Sequence, residues 1–116
     1  MFIVVIGLLL ISSCTKTKAE GPIISKVLDI DNFSGVDMVG AENVMITYGT
    51  EQKIVAIGNE NVVNAINRSV SYGIWKMKLN EDFTAYSLRY EIAVPRLSLI
   101  MISGSGEIVS KGFSND

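Results

Sequence analysis

The chain has 116 residues, which is room for one domain, and its 10 Lys and Arg against 12 Asp and Glu give a net charge of −2. A slightly acidic chain lacks the clustered cations that nucleic-acid binding requires, so we expect no nucleic-acid partner. There is no histidine and only one cysteine, which excludes an intrachain disulfide, a cysteine zinc cluster and the usual histidine-dependent catalytic centres. Carboxylates are the catalytic groups that remain, and we expect no cofactor.

The N-terminus has the composition of an export signal. Residues 2–11 form an uninterrupted apolar run that is too short for a membrane-spanning helix, which needs about 20 residues. The run ends in Ile11-Ser12-Ser13-Cys14, which resembles the lipobox of bacterial lipoproteins. The resemblance implies that residues 1–13 are a removable signal peptide and that Cys14 carries lipid. An ordinary secretory peptide or an uncleaved anchor is the alternative, since no Lys or Arg precedes the apolar run.

Residues 14–22 are small, polar and turn-prone, and we interpret them as a polar tether between the lipid and the fold. Thr15 stands where an Asp would suggest inner-membrane retention in well-studied lipoproteins, so the resemblance implies the outer membrane. No acidic run follows Cys14 of the sort that accompanies surface export in Bacteroidetes-type lipoproteins. A periplasm-facing and a cell-surface position therefore both stay open.

From Ile23 onward the pattern is mainly β, because apolar and polar residues alternate and turn residues separate the runs. We predict strands at residues 44–48, 53–57, 75–79 and 86–94, the last of which ends at Pro95. Residues 97–102 are continuously apolar, which predicts a strand covered on both faces. Another short strand begins at Ile108.

One segment departs from this alternation. Val62, Val63 and Ile66 stand at helical spacing, and Asn59 or Asn61 could cap the first turn. We therefore predict one short helix near residues 60–67.

Ser103-Gly104-Ser105-Gly106 has the composition of a phosphate-binding loop. Such a loop opens a helix whose amides bind the anion, but strand-like residues follow Gly106, and no lysine stands where a phosphate loop requires it. A tight corner between strands, which glycine permits, explains this motif better.

Three stretches occur in a recognisable order. They are residues 33–40 with 43–49, residues 57–63 with 70–77, and Ile92-Ala93-Val94-Pro95-Arg96-Leu97 leading to Ser103-Gly104-Ser105-Gly106. They are similar, respectively, to the opening hairpin, the short helix with its following strand, and the first solenoid repeats of the auto-transporter adhesin head GIN domain family, found largely in Bacteroidetes lipoproteins. The resemblance covers most of residues 24–114.

The resemblance implies a single-stranded β-solenoid-like stack over residues 23–116, in which neighbouring coils bury each other's apolar face. It also implies a non-enzymatic, lipid-anchored envelope protein whose domain serves interaction or adhesion. Family members continue through further coils after the first Ser-Gly-Ser-Gly turn, so residues 23–116 would be the N-terminal part of such a domain. The sequence indicates no oligomeric state.

Two other functions stay open. A carbohydrate-active β-helix enzyme would need two carboxylates roughly 5 to 9.5 Å apart, and the candidate acids lie in predicted turns, where solvated acids are ordinary. These acids are Asp29, Asp31, Asp37, Glu81 and Asp82. A small-ligand or lipid-binding module would need an apolar pocket that side chains leave unfilled.

Aromatic side chains could bind a glycan or a protein partner, and the candidates are Tyr72, Trp75, Tyr86 and Tyr90. Trp75 and Tyr90 share strand parity with aliphatic residues, so we expect them in the core. Tyr72, beside Gly73 in a turn, is the one we expect to be exposed, and we predict it as a possible interaction surface.

Overall fold

The structure is a computed structural model and describes residues 16–113. In this range the strands are β1 (Thr17–Lys18), β2 (Ile23–Leu28), β3 (Gly35–Met38), β4 (Asn43–Tyr48), β5 (Lys53–Asn59), β6 (Val70–Ser71), β7 (Ile74–Met77), β8 (Phe83–Thr84), β9 (Leu88–Val94), β10 (Leu99–Ile102) and β11 (Glu107–Lys111), and the helix is α1 (Glu60–Val63). The mainly β prediction is confirmed. The predicted signal peptide and Cys14 lie outside the described residues.

The strands form two main sheets and one small pair. One sheet has the order β10-β3-β7-β6, the other has the order β11-β4-β9-β5-β2, and β1 pairs separately with β8. In the two main sheets β3 pairs in parallel with β7 and β10, and β4 pairs in parallel with β9 and β11. The strands β2, β5 and β6 pair antiparallel to their neighbours. Because antiparallel strands complete both sheets, the parallel pairing by itself does not establish a single-stranded solenoid.

Three two-strand layers stack in register at the centre of the molecule. The layer β3–β4 lies in the middle, with β7 and β9 on one side and β10 and β11 on the other. Val36 of the middle layer is therefore opposite both Trp75 and Ile100. The apolar residues of one layer lie above those of the next. The layers stack in the order β7 with β9, β3 with β4, and β10 with β11, which differs from their order along the chain.

The core is built around three aromatic rings. Trp75 is fully buried, and its ring centroid lies 5.4 Å from that of Phe33 and 5.5 Å from that of Tyr90, which it meets edge-on at 89°. The indole nitrogen donates a hydrogen bond of 2.9 Å to the carbonyl oxygen of Asn67, so the one polar atom of Trp75 is satisfied. The expectation that Trp75 and Tyr90 pack in the core agrees with this arrangement.

The helix is shorter than the sequence pattern predicts. Helix α1 ends at Val63, whereas we predicted a helix near residues 60–67. Beyond it the chain makes tighter turns, in which each amide donates to the carbonyl oxygen three residues earlier. The Ala65 amide donates to the Val62 carbonyl, and the Ile66 amide donates to the Val63 carbonyl. Ile66 then forms a β-bridge with Leu79, so the apolar spacing of the segment serves a turn and a bridge instead of further helix.

Strand β10 also differs from the prediction. We expected residues 97–102 to be covered on both faces, but all four residues of β10 are exposed. The reason is that β10 is the outermost strand of its sheet in the described part of the chain, where β3 is its one neighbour. Its apolar side chains continue the buried stripe of the middle layer up to that edge.

Ser103-Gly104-Ser105-Gly106 forms the corner between β10 and β11, as expected from its glycines. The corner stacks on residues 39–42 of the middle layer, where the Gly106 amide donates 3.1 Å to the Gly40 carbonyl. A Cβ on Gly104 would lie against the Gly40 backbone, and one on Gly106 would lie against the Glu42 backbone. Close approach of two backbones is therefore the physical reason for both glycines.

The strands give the domain two opposite ends, which position the sites below. The hairpin end carries the Tyr72–Gly73 turn with residues 29–34, 49–52 and 95–98, and the corner end carries residues 39–42, 79–87 and 103–106 with α1. Among the described residues no helix has the length and apolar character needed to cross a membrane.

We expect Gly106→Ala to lower the free energy of unfolding by about 1–3 kcal/mol, because the added methyl group would overlap the backbone of Glu42. Ser105→Ala, at the exposed neighbouring position, should change stability little. Urea unfolding of the two variants beside the wild-type chain measures the difference. Equal stability of all three would contradict the stacked corner.

Candidate functional site

Tyr72 lies at the tip of a tight hairpin at the hairpin end. Tyr72 and Gly73 connect β6 to β7 as a two-residue loop, and both have positive φ, 54° and 74°. This is the pattern of a type I′ turn, whose first position favours Asn, Asp or Gly. A tyrosine there is strained, and its side chain is 99% exposed, so it contributes no packing in return.

A cleft lies beside this hairpin, with a volume of about 620 Å³. Gly73 contributes to its wall together with residues 32–34, residues 50–52, Pro95 and Arg96. Arg96 is exposed, and within residues 16–113 the one ion pair joins Arg89 and Glu91, so Arg96 presents its charge at the cleft without a carboxylate partner there. Guanidinium, carboxylate and hydroxyl groups around an open cleft suit a polar ligand.

The side chain of Gln52 holds one wall of the cleft in place. Its amide nitrogen donates to the carbonyl oxygens of Ile30 and Asp31, at 2.8 and 3.1 Å, and its oxygen accepts from the Phe33 amide at 3.1 Å. Ser98 fixes the neighbouring wall, because its amide donates 2.7 Å to the carbonyl of Ser34. These hydrogen bonds fix the loops that form the cleft. The sequence pattern did not indicate them.

The corner end contains a buried carboxylate that sequence reasoning missed. Glu42 is only 3% exposed, its Oε2 accepts a 2.7 Å hydrogen bond from the Tyr86 hydroxyl, and its Oε1 has no hydrogen-bond partner among residues 16–113. Burial raises the pKa of Glu42 above its ordinary value of 4.5, against the opposing effect of the hydrogen bond from Tyr86. The only signal in the sequence was its position two residues after Gly40, which is ordinary for a turn.

The two tyrosines near Glu42 respond to the same environment. Burial, followed by the hydrogen bond to Glu42 and its charge, raises the pKa of Tyr86 to about 12. Burial and then the charge of Glu42 also raise the pKa of Tyr90. Both phenols therefore remain protonated at neutral pH, and Tyr86 is a hydrogen-bond donor to the carboxylate rather than a base.

Glu42 does not make a catalytic centre with the acids named from the sequence. A general acid must come within hydrogen-bond reach of its substrate, and both carboxyl oxygens of Glu42 are enclosed by the protein. Asp29 and Asp31 lie at the hairpin end, whereas Glu81 and Asp82 lie at the corner end, and Asp37 is within β3. The structure therefore does not bring the two sequence groups of acids together as a pair.

Metal binding has no support in residues 16–113, where no three acidic or cysteine side chains form a cluster. Of the aromatic candidates, Trp75 and Tyr90 are buried, Tyr86 is half-buried on Glu42, and Tyr72 is exposed as expected. The role of Tyr72 as an interaction surface stays a prediction.

A family model matches residues 32–116, and its description is "Putative auto-transporter adhesin, head GIN domain". No curated protein has a significant similarity to the chain.

Solved structures share the fold. The chain is similar to a putative adhesin from Bacteroides fragilis, at 18% identity and a TM-score of 0.70, over 78% of this chain and 44% of that one. It is similar to a putative adhesin from Parabacteroides merdae, at 14% identity and a TM-score of 0.75, over 83% and 41%. A putative lipid binding protein from Parabacteroides distasonis has 14% identity and a TM-score of 0.68, over 84% and 44%. The chain thus spans less than half the length of these proteins.

We expect Glu42→Gln to remove a pH dependence from the stability of the domain. The folded chain binds the Glu42 proton more tightly than the unfolded chain does, so protonation of Glu42 stabilises the fold. This stabilisation is full below pH 4.5 and is lost as the pH rises through the raised folded-state pKa. The variant should therefore gain stability relative to wild type between pH 4 and pH 8, which urea unfolding at both values measures. Glu51→Gln, at an exposed position, controls for removal of a charge. If the unfolding free energies of wild type and Glu42→Gln differ by the same amount at pH 4 and pH 8, the raised pKa of Glu42 is contradicted.

Proposed function

The chain belongs to the family described as "Putative auto-transporter adhesin, head GIN domain", and from this membership we propose that it is a non-enzymatic, lipid-anchored protein of the cell envelope whose β domain provides an interaction or adhesion surface. The anchor would be lipid on Cys14. The location would be the outer membrane, with the domain facing the periplasm or the cell surface. The partner would be a protein or a glycan.

The support for the anchor comes from the sequence. The apolar run of residues 2–11 ends at a lipobox-like tetrapeptide, and Cys14 is the only cysteine of the chain. Lipid attachment with two or three acyl chains makes membrane association effectively permanent, which a single chain does not. A stable anchor keeps an interaction domain at the envelope without a membrane-spanning helix.

The observation that carries the interaction role is the exposed, strained Tyr72. A large aromatic side chain supplies contact area at a low cost in conformational entropy, and tyrosine is enriched among the residues that dominate binding energy. Strain without a packing benefit is typical of functional positions. The adjacent cleft adds Arg96, Glu51 and hydroxyl groups, which suit the polar surface of a glycan or a protein loop.

We also infer that the three layers are coils of a β-solenoid. The support is their register, since β3 pairs in parallel with β7 and β10, and β4 pairs in parallel with β9 and β11. Corner glycines that stack on the preceding corner are a second support, because each coil must turn at the same height.

A lipid-binding module is the second candidate function. One structural neighbour is described as a putative lipid binding protein, and within residues 16–113 all four residues of β10, which are apolar, are exposed. The two functions differ in what Tyr72 does. Binding of lipid through β10 would be unaffected by changes at Tyr72, which lies on a different strand connection.

We expect the wild-type chain to incorporate labelled palmitate and to fractionate with the outer membrane, and Cys14→Ala to lose both properties, because the thiol is the attachment point. Thr15→Ala should retain both. Membrane association of Cys14→Ala equal to that of the wild-type chain would contradict the anchor.

We expect Tyr72→Asn to separate folding from function. Asn tolerates positive φ, so the variant should gain about 1 kcal/mol of unfolding free energy. The purified variant should nevertheless bind a mucin-coated surface less than the purified wild-type domain does, because the aromatic contact is gone. Ser71→Ala, one residue earlier in the hairpin, is the matched control. Binding of the Tyr72→Asn domain at the wild-type level would argue against this surface, even with the gain in stability.

A further inference from the structure

The N-terminal segment, which we define as residues 14–22, is docked on the domain over residues 17–22. Thr17 and Lys18 form β1, which pairs in parallel with Phe83 and Thr84 of β8. The Thr17 amide donates 2.8 Å to the Asp82 carbonyl, and the Thr17 hydroxyl donates 2.6 Å to the Glu81 carboxylate. The segment that follows Cys14 is therefore attached to the corner end from its third residue, Thr17, onward.

Helix α1 holds the rest of this segment. The Asn61 side chain donates 2.9 Å to the Lys18 carbonyl and accepts 2.8 Å from the Glu20 amide, so one residue binds both sides of Ala19. The Glu60 amide donates 3.0 Å to the Pro22 carbonyl, and Ala19 packs against the core. Residues 17–22 of the segment that we interpreted as a tether thus have a fixed course on the protein.

Docking limits how far the domain can stand from its anchor. Thr17 is three residues after Cys14, and three residues span at most about 11 Å when fully extended. The corner end is therefore held within about that distance of the lipid attachment point, whereas a free nine-residue tether would allow any orientation.

The strands carry the hairpin end away from this point. Strand β9 begins at the corner end with Leu88 and ends at the hairpin end with Val94, and its seven residues extend over about 23 Å. Tyr72 and the cleft lie at the far end of these strands, and β1 lies at the near end.

We propose that the docked N-terminal segment seats the corner end of the domain on the lipid surface and directs the Tyr72 hairpin and its cleft away from the membrane. The proposal rests on the lipid anchor at Cys14 proposed above. It adds an orientation, with β1, β8 and α1 forming the membrane-proximal surface. Lys16 and Lys18 stand there beside Glu81 and Asp82, so charges of both signs surround the docking point and the short reach alone determines the orientation.

The test couples the mature chain, which starts at Cys14 and keeps every described residue, to a lipid that carries a cyanobenzothiazole group. This group reacts only with an N-terminal cysteine, so the orientation is measured whether or not cells acylate Cys14. An introduced cysteine is then the only free thiol, since the chain has no other. Asn80→Cys places a fluorophore at the corner end, and Thr50→Cys places it at the hairpin end; both positions are exposed.

In phosphatidylcholine vesicles with a nitroxide on the lipid headgroup, we expect loss of fluorescence at Asn80→Cys and none at Thr50→Cys. Thr17→Pro removes both the amide that binds Asp82 and the hydroxyl that binds Glu81. Releasing the segment with Thr17→Pro and Asn61→Ala together should abolish this difference while the chain stays coupled and folded. Equal quenching at the two positions, or an unchanged difference after release, would overturn the proposal. A lipid-free Cys14 in cells would instead refute the proposed anchor, so the two failures are distinguishable.

Discussion

The parallel, in-register pairing of β4 with β9 and β11 is the constraint on which the rest of the structure depends. In-register pairing places residues of the same parity above one another, so Ile46 of the middle strand lies between Ile92 and Ser110 on the inner face. The same holds for β3 between β7 and β10. Each layer can bury its apolar face only against its neighbours, and for this reason the two ends of the strands, and everything placed on them, are also kept in line.

The corners follow from this pairing and account for the buried acid. Layers at the normal strand spacing bring successive corners into backbone contact, which requires Gly104 over Gly40 and Gly106 over Glu42. The corner packs on the backbone of Glu42, and the Glu42 carboxylate is buried and accepts a hydrogen bond from Tyr86. A carboxyl group in this position belongs to the architecture of the corner, and its raised pKa reflects burial instead of a catalytic task.

The strands β4, β7 and β9 were predictable from the sequence. Their apolar and polar residues alternate, and this alternation indicates one buried face whichever neighbour covers it. Features that depend on a particular neighbour were not predictable. The apolar run at β10 indicated burial, but its exposure follows from its place at the sheet edge. In the sequence Glu42 resembles an ordinary turn acid, whereas its burial and its bond to Tyr86 depend on chain segments distant from it. Tyr72 was predictable as exposed from its adjacent glycine, but its strain and the neighbouring cleft depend on chain segments distant in sequence.

The strain at Tyr72 persists because its surroundings hold the turn in place. The Gly73 carbonyl accepts hydrogen bonds of 3.0 Å from the amides of both Ser34 and Gly35, which tie the hairpin to the start of β3. Trp75, two residues farther along β7, is anchored in the core, so the hairpin cannot relax by moving the strand. The fold would be served equally well by a smaller residue in the left-handed position. Neither packing nor turn geometry explains the phenol, and the proposed interaction surface rests on this observation.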